Sequence, residues 1–137
     1  MSTTKSIIRS GGGAVYAGSA MLVMEISFDP TAAAAASGKV LPAGAVVLDV
    51  VCNGGATGGT NPTVDVGFSG TTAGFANELD ADAKGSAAVA GTLGTSARAV
   101  LASDTDVWVG VGASAATGGT VIIWILYYRE DPAGGVG

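Results

Sequence analysis

The sequence predicts an all-β fold, a single antiparallel β-sandwich of jelly-roll type with an extended N-terminal arm. Three observations carry this: short runs of apolar residues repeat with period two, glycine-rich turns separate them, and no long segment keeps a helical repeat. At 137 residues the chain has room for one core. We expect an arm over residues 1–20, the sandwich over 21–131 and a flexible tail over 132–137.

The first twenty residues are polar and glycine-rich, with Ile7 and Ile8 as the strong apolar pair and Gly11, Gly12 and Gly13 as a joint. Such a segment buries too little apolar surface to order by itself. It reads either as an arm pinned to a neighbour through Ile7 and Ile8 or as a short edge strand of the same domain. Met21–Phe28 is the first clear strand, with Leu22, Met24, Ile26 and Phe28 on one face and Glu25 and Ser27 on the other. Asp29 and Pro30 stop it. The alanine run in residues 31–38 reads as a loop, because an isolated helix shorter than about 12 residues is marginal.

Residues 40–45 set a turn around Pro42, and the β-branched run 46–52 follows as a strand. The Gly/Thr-rich piece 54–61 looks like a hairpin loop leading into residues 63–69. There Val64, Val66 and Phe68 point inward and Asp65, Gly67 and Ser69 outward. Residues 85–94 are weakly patterned, with Val89 and Leu93 as anchors, and 97–102 is expected to add a short strand. In residues 107–112 the valines 107, 109 and 111 share a face. Trp108 lies on the other with Gly110 and Gly112, which leave room for a neighbouring backbone or side chain.

The turn 116–119 then leads, as a hairpin, into the last strand. Residues 120–128 are apolar on both alternating faces: Val121, Ile123, Ile125 and Tyr127 on one, and Ile122, Trp124, Leu126 and Tyr128 on the other. The run is shorter than the roughly 20 apolar residues of a membrane-spanning helix, and Arg129-Glu-Asp-Pro132 closes it. Each face therefore needs cover, from a second sheet, a chain arm or another subunit, and the pattern does not say which face serves which.

Only 12% of residues are charged, against about a quarter in typical soluble domains, so small polar groups must cover the surface or part of it must be buried in an assembly. A net charge of -5, with six scattered Lys and Arg, argues against nucleic-acid binding. The chain has no histidine, which removes Ser-His-Asp and Cys-His catalysis and the commonest transition-metal ligand. The one cysteine, Cys52, reads as a buried strand thiol. The N-terminal residues lack the apolar stretch of a secretory signal, so synthesis and retention in a cytoplasm is the expectation.

Gly54-Gly-Ala-Thr-Gly-Gly-Thr60 lacks the Gly-Lys-Ser/Thr of a phosphate loop. Glu78, Asp80 and Asp82 would share one face of a strand, but their spacing lacks the calcium loop with its glycine and closing Glu. They read as a solvated loop or a polar contact between subunits. Trp108 and Trp124, on strands, read as core or interface aromatics. No enzyme, cofactor or metal centre is expected.

The blocks Val40-Leu-Pro-Ala-Gly-Ala-Val-Val-Leu-Asp-Val-Val51, Thr63-Val-Asp-Val-Gly-Phe68, Asn77-Glu-Leu-Asp80 and Gly119-Thr-Val-Ile-Ile-Trp-Ile-Leu-Tyr-Tyr128 together resemble the head decoration, or cement, proteins of tailed bacteriophages. The resemblance covers about residues 40–129 and is one of hydrophobic and glycine pattern. It implies a sandwich that forms a homotrimer and binds the major capsid protein on the outer surface of the virion, made in the host bacterial cytoplasm, with no nucleic acid or membrane as partner. On that view Trp108, Ile122, Trp124, Leu126 and Tyr128 are candidates for the subunit interface, and Ile7, Ile8 and Arg9 for capsid contact. The alternative is a receptor- or carbohydrate-binding module of a phage head or tail fibre. Its candidates are Phe75 and the acids between Glu78 and Asp82.

Overall fold

A computed structural model describes residues 21–83, 85–86 and 93–129. The strands, in chain order, are β1 Met21–Phe28, β2 Ala35–Leu41, β3 Ala45–Cys52, β4 Ala56–Thr57, β5 Thr63–Phe68, β6 Thr71–Asp80, β7 Gly85–Ser86, β8 Thr105–Val111, β9 Gly118–Gly119 and β10 Val121–Arg129. One four-stranded sheet has the order β1-β10-β3-β7 and the other β2-β8-β5-β6, while β4 and β9 form a small ladder of their own. All the paired strands are antiparallel. Within the two large sheets the chain changes sheet at every step except the β5–β6 hairpin, which is the jelly-roll arrangement.

The core lies between the sheets and is built by alternation, interrupted by irregularities at Leu48 in β3 and Glu78 in β6. Ile26 and Phe28 of β1, Val47, Val50 and Cys52 of β3, and Val121, Ile123 and Ile125 of β10 come from one sheet. Leu41, Val64, Val66, Phe75, Leu79, Val107 and Val109 come from the other. Each large side chain taken fully out of water contributes roughly 1.5–3 kcal/mol before the entropy of ordering is charged. The inner face assigned to β8 holds, as does the buried state of Cys52, whose thiol is pushed up by burial. Phe75 is fully buried and packs on Phe68 with ring centroids 5.5 Å apart.

Four local expectations need correction. Residues 35–41 form strand β2 and not a loop: the ladder to β8 and the bond from Ser37 Oγ to the Val107 carbonyl (2.8 Å) override the modest preferences of alanine. Residues 54–61 are no hairpin but the arch from one sheet to the other. Gly54, Gly58 and Gly59 take φ of 74°, 73° and 77° there, the same glycine demand that a hairpin turn makes. Residues 97–102 make a turn, with a single bridge from Val100 to Val46. Strands β8 and β10 form no hairpin, since they belong to opposite sheets and β9 intervenes.

At the end of β1, Asp29 Oδ1 accepts bonds from Thr31 N (3.0 Å) and Thr31 Oγ1 (2.8 Å), which turns the chain toward the second sheet. These bonds hold the exposed Asp29 carboxyl below its ordinary value. The returning backbone then crosses β8 at Gly110, where an added Cβ would collide with the main chain of Ala34. The open space expected beside Trp108 is therefore filled, on this side, by backbone. We predict that Gly110→Ala destabilises the fold by about 1–3 kcal/mol, seen as a lower urea midpoint with an unchanged slope.

Candidate assembly surface

Strand β10 is bonded on both edges, to β1 and to β3, so its outward side chains occupy the middle of an exposed sheet face. The registers place that face in rows across the strands. Met21, Tyr128 and Val46 form one row, with Val100 bridged beside Val46. Val23, Leu126 and Asp49 form the next, and Glu25, Trp124 and Val51 the third. Ser27 and Ile122 close the face, where Asn53 Oδ1 accepts the Ile122 N–H at 2.8 Å.

Here the structure settles which face of the doubly apolar strand enters the core. Val121, Ile123 and Ile125 are fully buried, whereas Ile122, Trp124, Leu126 and Tyr128 are half-buried within the isolated chain. Met21 is 56% exposed, Val23 60% and Val100 56%, so apolar side chains border the β10 row on both sides. A contiguous face of this kind marks an interaction surface more often than a free one. The sequence reading missed Met21, Val23, Val51 and Val100. Alternation with Glu25 and Ser27 already set Met21 and Val23 on the outward side, but only the register joined them to Trp124.

Trp108 does not belong to this surface. It lies outward on β8, in the opposite sheet, flanked across the strands by Ala36 and Gly67. With Phe68, Ser69, Asp104, Thr105 and Asp106 it lines a shallow groove of about 420 Å³. Trp108 and the outward side chains of β10 thus lie on opposite outer faces of the sandwich, and no single face of one subunit presents both. The candidates Ile7, Ile8 and Arg9 lie outside the described residues.

The acidic segment is organised differently from its sequence pattern. Glu78 takes a left-handed φ of 56°, which breaks the alternation of β6. Its carboxylate accepts bonds from Thr63 Oγ1 (2.9 Å) and Ala113 N (2.8 and 3.0 Å), and its own N–H donates to Asp65 Oδ1 at 2.8 Å. Glu78 and Asp65 thus brace β5 and β6 to the segment after β8, beside Gly112. Burial pushes the Asp65 carboxyl above its ordinary value, and the Glu78 charge adds to the rise against the effect of the donated N–H. Among the described residues no three His, Cys, Asp or Glu side chains converge as a metal site.

No protein-family model matches the chain, and no curated protein does. Solved structures do. A chain in the capsid asymmetric unit of cyanophage Pam1 superposes with a TM-score of 0.62 at 21% identity, covering 93% of this chain and 98% of that one. A chain of the acid-stable capsid of Helicobacter pylori bacteriophage KHP30 gives a TM-score of 0.60 at 17% identity, covering 83% and 91%. At these identities the likeness is one of fold, and in both cases it takes in nearly the whole neighbouring chain.

Two outcomes test this geometry. Ile123→Ala is expected to cost about 2–5 kcal/mol of stability in denaturant, as a cavity in a closed core does. The outward Trp124→Ala should cost the isolated subunit much less and show its main effect in association, read by sedimentation. For the acid pair, the folded-state pKa of Asp65 lies above its unfolded value, so the native chain binds that proton more tightly. Stability from this group is therefore gained as pH falls through the raised folded value toward the ordinary carboxylate value, and lost again as pH rises. Asp65→Asn removes this titration from the mutant, so the wild-type-minus-mutant stability difference, measured from pH 7 to pH 4, should rise as pH falls.

Proposed function

We propose that the chain is a capsid decoration protein, a non-catalytic structural component of a phage particle that binds the outer surface of the head and self-associates there as a trimer. The observation that carries this reading is the shared whole-chain jelly roll: both neighbours come from phage capsids, and each is covered over nine-tenths or more of its length. Each neighbour is thus a chain of about this size, not a domain of a larger shell protein.

The physical properties of the chain support the same role. A face bearing Ile122, Trp124, Leu126, Tyr128, Met21 and Val23 favours burial against another subunit, and the low charge leaves few ions to desolvate when that happens. The glycan-binding alternative loses its aromatic candidate, since Phe75 is in the core. Function on this reading is linkage: a protein that binds only the mature shell stabilises it by about 2.7 kcal/mol per site at a hundredfold excess over Kd. The partner is the major capsid protein, and no bond is made or broken.

The test is to add purified protein to expanded heads that lack it and follow co-sedimentation, thermal rupture and electron-microscopic density. Saturable binding with symmetric external density and a higher rupture temperature is the expected result. Heads that neither bind the protein nor gain heat resistance overturn the reading, as does purified protein that captures a glycan and ignores heads.

A further inference from the structure

The outward face of the β10 sheet has unlike borders. On the β1 border Glu25 lies beside Trp124 in one row, exposed and with no bond to its carboxylate within the described structure. Beyond β3 the chain returns as the turn 97–102, whose Arg98 N–H donates to the Val47 carbonyl at 2.8 Å and whose Val100 bridges Val46. Arg98 is exposed there, and its side chain too is unbonded. Asp49, the other acid of the face, accepts the Val50 N–H at 2.8 Å and is held within the chain. Lys39 belongs to β2 in the opposite sheet, and Arg129 Nε donates to the Ala43 carbonyl at 3.3 Å. Among the described residues the face is thus left with an unpaired acid on one border and an unpaired cation on the other.

Arg98 also takes a left-handed φ of 64°, a conformation that Gly adopts freely and that strains a residue with a side chain. Strain of this kind collects where a side chain is used, and no described group of the same chain bonds this one. Three strand spacings across the sheet and four residues along it separate Glu25 from Arg98, roughly 19 Å on the diagonal. The two cannot pair within one chain.

We propose that Arg98 of a second copy seats on the row of Glu25 and Trp124, its guanidinium stacked on the indole and paired with the carboxylate. This rests on the reading of the face as a subunit contact and names what the face meets. A planar guanidinium suits the row, since it can lie on an aromatic ring while its edge donates to an acid beside that ring. Next to it, Val100 of the second copy meets Val23, so two valines that are 56% and 60% exposed in the isolated chain lose water together. Because acid and cation occupy opposite borders, a copy gives Arg98 at one border and receives it at the other. That is a head-to-tail contact, and it closes into a ring.

Two experiments test it on the full-length chain. In the first, Arg98→Glu and Glu25→Arg are each expected to weaken self-association about tenfold by sedimentation, since repulsion replaces attraction at the pair. The two changes together should restore most of it. Arg98→Gly suits the left-handed backbone, so it should leave the urea midpoint of the subunit no lower and still weaken association. Lys39→Glu makes the same change in net charge on the opposite sheet and should leave association as it is. An equal loss from Lys39→Glu overturns the specific pair. In the second experiment a chain with Arg98→Cys is mixed with one carrying Glu25→Cys, at concentrations where both associate, and treated with a short bismaleimide, Cys52 being buried. A covalent heterodimer is the expected product, and its absence from the associated material overturns the contact. Oligomers insensitive to Arg98→Glu but dissociated by Trp124→Ala overturn the role of Arg98 and leave the subunit face standing. Failure to bind heads, with the cross-link intact, overturns the decoration role and leaves this contact standing.

Discussion

The structure depends on β10 being a central strand that is apolar on both sides. A strand in the middle of a sheet satisfies its backbone through two ladders, and β10 does so with β1 and β3. Its inner side chains Val121, Ile123 and Ile125 then close the core against the opposite sheet. What remains is an outer row with a tryptophan and two large aliphatics that no second layer covers among the described residues. An ordinary antiparallel sheet leaves this face polar. Here the departure from that rule is itself the argument for assembly.

The other constraint is steric and sits in the glycines. A jelly roll sends its chain back and forth between two sheets, so arches must pass close over strands. Gly110 admits the backbone of Ala34, and Gly55 and Gly119 let the arch between β3 and β5 meet the turn before β10. Many of the turns are thus made of small residues with little charge. The acids that remain are used structurally: Glu78 and Asp65 satisfy main-chain donors across three segments, and Asp104 Oδ1 accepts the Ala43 N–H at 2.9 Å.

If the outward face of the β10 sheet is a contact between copies, the opposite sheet is left for other surroundings. Its groove at Trp108 is shallow, polar at one end and continuous with the β5–β6 tip. The two outer faces differ in character because their strands differ: β10 alternates large with large, while β8 alternates large with glycine.

Pattern alone determined the all-β class, the approximate spans of β1, β3, β5, β8 and β10, the apolar faces of β1, β5 and β8, and the burial of Cys52. Period-two burial is a local property, visible wherever one face is apolar and the other is not. The strand at residues 35–41 was illegible because its side chains are small and its stability comes from the ladder to β8, a partner about 70 positions away. The separation of Trp108 from Trp124 was illegible for a related reason, since which strands are neighbours is decided by the path of the arches and not by the strands themselves. Tertiary structure alone chose the core face of β10, because the two faces are almost equally apolar. The choice followed from which of them meets Phe75, Leu79 and Val107 when the sheets close.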